Sequence, residues 1–359
     1  MKHKQLKTFG FNEEIQDYVT HHLQGLALGR VISQQRNLYE VMLEDKQIRA
    51  VVSGRIQNLA LDAQDFPAVG DWVGMRQTGL STDTAIIERI VPRQSVFLRK
   101  MAGRQSAVQV VAANVDTIFI CMALDGNYNL KRLERYLTVA FASGAKPVII
   151  LTKADLATDL DQQLASVTKI ASGAQVVSCS SADDSWLRVK KFVAPGETVA
   201  FIGSSGVGKT TLINQLMGKK IGATQAVRSS DSHGRHTTTS RELMQLPDGG
   251  LVIDTPGMRE LGVVSGDFAT TFADITELAQ SCKFRDCRHE NEPGCAVQEA
   301  IRTGTLSPER LASYRKLQAE ASTNENLRGR ARENAKVDRM FGGKKQMKAF
   351  LKAQRKRRR

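Results

Sequence analysis

The stretch Gly203 to Thr210, GSSGVGKT, constrains this chain's fold more than any other. It matches G-x-x-x-x-G-K-[ST], follows the apolar run TVAFI and precedes the helix-forming LINQLM. A strand, a tight loop and a helix in that order build a phosphate-binding loop at the edge of a largely parallel sheet. Gly203, Gly206 and Gly208 let backbone N–H groups turn inward on the phosphates, with Ser204, Ser205, Val207 and Thr211 in the same cradle. Lys209 is expected to reach the β- and γ-phosphates, and Thr210 to offer its hydroxyl to Mg²⁺.

Two other short stretches complete a guanine-nucleotide site. DTPG ends the next strand, so Asp254 is expected to hold Mg²⁺ through water and the Gly257 amide to sense the γ-phosphate. TKAD, Thr152 to Asp155, resembles the guanine-reading N-K-x-D element with Thr in place of Asn. The Asp155 carboxylate can accept from the guanine ring N–H and its exocyclic amine, a pair adenine does not offer. Lys153 would lay its stem along the base, with Ala154 between the two. Thr152 removes the amide that normally ties this loop to the phosphate loop, which predicts weaker nucleotide binding with the guanine preference kept. SCSS, Ser178 to Ser181, is the candidate for backbone that meets the guanine carbonyl. TKAD stands about fifty residues before the phosphate loop, and nothing like it follows DTPG. The core therefore reads as circularly permuted, a change folds accept where their termini lie close together. Permutation also sends the chain from DTPG directly into the C-terminal segment.

Around that core the chain divides into three segments: 1–113, 114–264 and 265–359. In the first, runs 26–34, 38–44, 47–54, 71–77 and 84–91 are rich in Val, Ile and aromatic residues and punctuated by Gly, Asp and Pro. Five such strands suggest a small closed barrel, foremost an OB-fold, which either contacts nucleic acid or only packs against its neighbour. The second alternates strand and helix into an α/β P-loop core. The third is expected to be mostly helical, with a helix capped by Ser307 and opened by Pro308.

Cys282, Cys287, His289 and Cys295 form C-x₄-C-x-H-x₅-C, a Cys₃His set that suits one structural Zn²⁺ and leaves no open coordination position. Cys121 and Cys179 stand alone in apolar strands and read as core. Lys283, Arg285 and Arg288 would present positive charge on the zinc loop, as an RNA contact needs. The net charge is +14, and from Arg328 to Arg359 fourteen Lys or Arg face two acids, so nearly all the excess sits in that tail. Such a run is either a solvated end or a phosphate binder without sequence specificity, and nucleic acid is the expected partner. No apolar run approaches the roughly 18 residues of a membrane span, and MKHKQLKTFGFNEE lacks a secretory core. A soluble, cytoplasmic, monomeric protein is expected.

Permuted order, an OB-like barrel, GRHTTT (234–239), DTPGMRE (254–260) and the Cys₃His spacing together resemble the RsgA (YjeQ/YloQ) family of small-subunit-dependent GTPases. The resemblance covers essentially the whole chain. It implies a factor that binds the small ribosomal subunit and its rRNA late in maturation, hydrolyses GTP to GDP and phosphate when stimulated, and leaves. GRHTTTSREL fits the first switch, where one of Thr237 to Thr239, foremost Thr238, closes on Mg²⁺. Met258 stands where many GTPases keep a water-orienting Gln, so His236 becomes the candidate catalytic group, as the resemblance also implies. Two other readings remain at this stage: an RNA-binding scaffold that holds guanine nucleotide without turnover, and a permuted GTPase of large-subunit assembly.

Overall fold

The computed structural model describes residues 4–35, 37–77, 84–100, 108–219, 241–254, 262–343 and 346–348. Two short helices come first, α1 (Lys4–Thr8) and α2 (Glu13–His22), the second capped by the Asn12 side chain on the Ile15 N–H. Next are β1 (Ala27–Gln35), β2 (Leu38–Met42), β3 (Gln47–Val52), helix α3 (Gly54–Leu59), β4 (Trp72–Gln77) and β5 (Thr84–Ile90). Their order is β1-β2-β3-β5-β4, and β4 pairs back onto β1, so the barrel closes. All pairs are antiparallel except β3 with β5. Alternation along each strand turns Val31, Val41, Ala50, Val52, Val73, Met75, Ala85 and Ile87 into one interior cluster. This is the five-stranded barrel expected from the sequence.

A two-stranded hairpin, β6 (Val96–Lys100) with β7 (Val108–Ala113), leads out of the barrel. The α/β core follows: β8 (Thr117–Ala123), α4 (Leu130–Ala142), β9 (Lys146–Thr152), α5 (Leu160–Ile170), β10 (Gln175–Ser178), α6 (Leu187–Lys190), β11 (Thr198–Ile202), α7 (Lys209–Met217), β12 (Arg241–Gln245) and β13 (Leu251–Asp254). The sheet order is β10-β9-β8-β11-β13-β12, with only β12 antiparallel. Strands β8, β9 and β10 precede the phosphate-loop strand β11 in sequence yet lie on one side of it in space, which is the permutation made physical. Strand β12 also pairs with β1 of the barrel, Ser33 opposite Glu242 and Gln34 opposite Arg241, so a single eleven-stranded sheet joins barrel and core. Arg241 is anchored further by the hairpin, donating to the Val110 carbonyl at 3.2 Å and to Gln109 Oε1 at 3.0 Å.

The remainder is helical: α8 (Phe268–Thr271), α9 (Ala273–Gln280), α10 (Ala296–Arg302) and α11 (Pro308–Phe341). As expected, Ser307 caps α11, accepting from the Arg310 N–H at 3.2 Å, and Pro308 opens it. Unlike the expectation of a basic tail after that helix, α11 runs on through the first part of the tail. Ala, Arg and Glu are good helix formers, and Gly329 alone does not break the run. Among the described residues no helix is long and apolar enough to cross a membrane.

Candidate nucleotide site and metal centre

Strand β11 delivers the phosphate loop to the carboxyl edge of the sheet, where ligands of open α/β sheets bind. Gly203 has φ 147°, and a Cβ there would lie 2.4 Å from the Cys121 carbonyl oxygen of the neighbouring strand. Gly208 has φ 93° and is followed at once by α7, whose N-terminus therefore faces the loop. The Lys209 ammonium donates to the carbonyls of Gly203 at 2.7 Å and Ser204 at 2.6 Å, so it is already folded back over the cradle. Burial holds its pKa below the usual lysine value, against the attraction of Asp254. Asp254 ends β13 one residue beyond the Ala200–Ile253 pair, at the same sheet edge. Thr210 is the second residue of α7, and its hydroxyl and the Asp254 carboxylate are oxygen ligands of the kind Mg²⁺ takes.

TKAD closes over this loop. The Thr152 hydroxyl donates to the Val207 carbonyl of the phosphate loop at 2.6 Å, and the residue is 5% exposed. The tie expected to disappear with Asn is therefore kept, because a hydroxyl supplies the one donor that the Val207 carbonyl needs. Lys153 sits at φ 55°, and its ammonium pairs with Asp125 Oδ2 at 2.7 Å. Partial burial works against ionisation of Asp125, but donors from Lys153 and Asn127 outweigh it and hold its pKa below the ordinary carboxylate value. Ala154 N–H donates to the Cys179 carbonyl at 3.2 Å, and the Ser180 hydroxyl donates to Asp155 Oδ1 in a short hydrogen bond. SCSS thus lies beside TKAD, with Ser180 aiming the carboxylate.

Asp125 was not read as a site residue, and Ser180 was read only for its backbone, not for its hydroxyl on Asp155. The available signal was their position at the ends of the two strands that flank β9. Arg132, near the start of α4, was also missed; it donates to Ser204 Oγ at 2.7 Å. Cys121 and Cys179 are core thiols, pushed up by burial to about 12 and about 11. His236, Thr238 and Gly257, with Thr237, Thr239 and Met258, lie outside the described residues.

Exchanging Asp155 for Asn tests the base contact. The amide replaces an acceptor by a donor, so GTP affinity should fall about 100-fold and xanthine nucleotides, with a carbonyl where guanine has its amine, should gain. Calorimetric titration with both nucleotides measures this; unchanged GTP affinity removes Asp155 from the base site.

The chain leaving the DTPG segment is gripped at once. Val263 N–H donates to Glu320 Oε1 at 3.0 Å, and its carbonyl accepts from Asn324 Nδ2 at 2.8 Å. Glu320 also binds Arg135 of α4 at 2.6 Å, and Asn324 accepts from Lys100 of the hairpin at 2.8 Å.

The four predicted zinc ligands converge, their donor atoms all within 4.8 Å of one another. Cys282 Sγ lies 3.8 Å from Cys295 Sγ, and His289 Nδ1 lies 3.6 and 3.4 Å from those two sulfurs. Tetrahedral Zn²⁺ with its usual bond lengths requires S–S edges of about 3.8 Å and S–N edges of about 3.6 Å. The donor set fits that ion. His289 adopts φ 60°, and its carbonyl accepts from Arg315 of α11 at 2.7 Å and from Gln298 in a short bond. Those donors hold the ligand's backbone in place, as supporting groups around metal ligands do.

Comparison with known proteins agrees with this geometry. Residues 90–264 match the family model described as RsgA GTPase. A Lactiplantibacillus plantarum protein named small ribosomal subunit biogenesis GTPase RsgA 2 is 50% identical over 325 residues, 90% of this chain and 91% of that one. Among solved structures, YjeQ from Thermotoga maritima aligns with TM-score 0.59 and 25% identity over 82% of this chain and 98% of its own. YloQ, titled a circularly permuted GTPase, aligns with TM-score 0.58 and 25% identity over 84% and 97%. With half of its residues shared over nine-tenths of its length, on a sheet whose base-reading strands come before the phosphate loop, the chain belongs to the RsgA GTPase family.

Proposed function

We propose that this GTP-hydrolysing protein binds the small ribosomal subunit, acts late in its maturation, and hydrolyses GTP to GDP and phosphate when the subunit stimulates it. The observation that carries the reading is one sheet joining a closed barrel to a permuted nucleotide core, in a chain that also carries a Cys₃His knuckle. A relative that aligns over nine-tenths of the chain is named for small-subunit biogenesis. Barrel, zinc loop and basic C-terminal helix are the rRNA-contacting parts in this reading, and the protein works in the cytoplasm as a monomer.

Within the site, Asp155 reads the base, Thr152, Lys153 and Ala154 hold that loop against its neighbours, and the amides from Ser204 to Thr211 bind phosphate. Lys209 swings from its two carbonyls onto the β- and γ-phosphate oxygens. Thr210 and Asp254, with Thr238 from the switch, would hold Mg²⁺, which would supply positive charge against the β- and γ-phosphates. His236 orients the attacking water, a role Met258 has no polar atom to fill. Zn²⁺ is structural, one per chain.

Turnover measured with small subunits, with large subunits and with neither tests the reading. Small subunits should raise the rate by at least an order of magnitude, and His236→Ala should remove most of that gain while leaving GTP affinity nearly intact. Stimulation by large subunits alone, or none by either, rejects it.

A further inference from the structure

Arg328, Arg332 and Arg339 are spaced four and seven residues apart on α11, so they share one face of the helix. That face continues the stripe which, nearer the helix start, buries Leu317, Ala321 and Asn324 against the core. Beyond Asn324 its anchoring changes from apolar contact to guanidinium contact, all of it directed at one turn of the barrel. Arg328 Nη2 donates to Gln64 Oε1 at 2.6 Å. Arg332 pairs with Asp62 at 2.9 Å and with Asp65 at 3.3 Å. Arg339 donates to the Leu59 carbonyl at 2.9 Å and, in a short bond, to that of Ala60.

The turn does not need α11 for its shape. Asp65 Oδ2 accepts from the N–H groups of Leu61 and Asp62, Asp62 accepts from Gln64, and Arg93 ties down the carbonyls of Gln64 and Phe66. Carboxylates and carbonyls at these distances present to guanidinium groups what phosphate oxygens present. The side chains of Arg332, Asp62 and Asp65 keep 33%, 20% and 31% of their exposure, so water reaches every pair and each is weak.

We propose that this arginine face is an RNA-binding surface which the barrel's 59–65 turn occupies in the free protein, so that turn and RNA phosphates compete for the same side chains. The proposal rests on the reading of the basic C-terminal region as an rRNA contact and adds its regulation. A turn with two negative charges holds the face against stray anions. A continuous phosphate backbone, releasing counterions along its length, displaces it. Free protein is thereby kept off RNA that offers only a short phosphate run.

Binding of a fluorescein-labelled RNA duplex, two helical turns long and of arbitrary sequence, to the full zinc-loaded chain tests this. Asn can still cap a turn, so the Asp62→Asn/Asp65→Asn variant keeps the fold while losing the pairs. It should bind the duplex about fivefold more tightly at low salt, with the advantage gone at high salt. Asp161→Asn/Asp184→Asn, which removes two exposed acids elsewhere, controls for net charge and should change affinity less than twofold. An Asp62→Asn/Asp65→Asn variant indistinguishable from that control overturns the competition. If Arg332→Gln nevertheless weakens duplex binding, the rRNA-contact reading survives that failure; if Arg332→Gln has no effect either, both fall.

Discussion

Cys287→Ser is expected to leave the purified protein without its zinc and to unfold the segment from Ser281 to Cys295. No helix or strand lies between α9 and α10, and the backbone bonds that close the loop are few, chiefly Lys283 N–H to the Gly294 carbonyl at 3.0 Å. Metal binding supplies what the backbone does not: structural zinc sites in small peptides contribute on the order of 10 kcal/mol, all of it folding free energy. The loss should stay local. Phe272, Ile275, Val297, Ala300 and Leu306 belong to the same apolar cluster as the α/β core and remain packed without the ion. Elemental analysis should therefore fall from one zinc per chain to none, and amide exchange from Ser281 to Cys295 should approach that of an unfolded chain, while GTP binding persists. A parent protein without zinc, or a variant that retains it, contradicts the structural-zinc reading.

Features that could be read from the sequence were those fixed by residues near one another in the chain. Runs rich in Val, Ile and aromatic residues, bounded by Gly, Asp and Pro, located all five barrel strands to within two residues, because strands favour the first residue types and turns the second. Ligand spacing revealed the zinc set for the same local reason. Features set by pairing across long separations were not visible. The β12–β1 contact joins residues about two hundred positions apart, and no local pattern in RELMQ specifies which edge it meets. Thr152 shows the limit differently: comparing functional groups said a tie was lost, whereas the tie depends on the distance to the Val207 carbonyl, which only the fold sets. The arginines of α11 read only as a solvated end or a phosphate binder, with no contact inside the protein, because their partners, Asp62, Asp65 and Gln64, lie far upstream.

The permuted order implied that the DTPG segment would act on the C-terminal region, and the contacts show what it would act through. Val263 is held by Glu320 and Asn324, and the same helix is locked to α4 by Arg310. Helix α4 in turn reaches the phosphate loop through Arg132. These contacts run without a break from Val263 through α11 and α4 to the phosphate loop.

Arg310 and the Arg135–Glu320 pair both join α11 to α4; Arg310 is the more buried link, and Arg310→Met is expected to cost about 3 to 5 kcal/mol. Its guanidinium, 6% exposed, binds Glu134 of α4 at 2.8 Å, Asp274 of α9 at 3.0 Å and the Thr271 carbonyl at 2.7 Å, and it lies 4.3 Å over the Phe272 ring. Burial works to lower its pKa, yet the two carboxylates outweigh that and hold it above the ordinary arginine value. Met fills the space but leaves Glu134, 4% exposed, with only Ser313 as a hydrogen-bond donor from this cluster. A buried carboxylate stripped of its counter-charge is what makes the change severe, more than the loss of the ion pair itself. Removing that charge as well should therefore restore much of the stability: Arg310→Met/Glu134→Gln is expected to be more stable than Arg310→Met alone by at least 1 kcal/mol. Equilibrium denaturation of the two single variants and the double variant measures the coupling. A double variant whose loss equals the sum of the singles means that Arg310 and Glu134 act independently, and that helices α4 and α11 are joined by their other contacts, the Arg135–Glu320 pair among them, rather than by this charge pair.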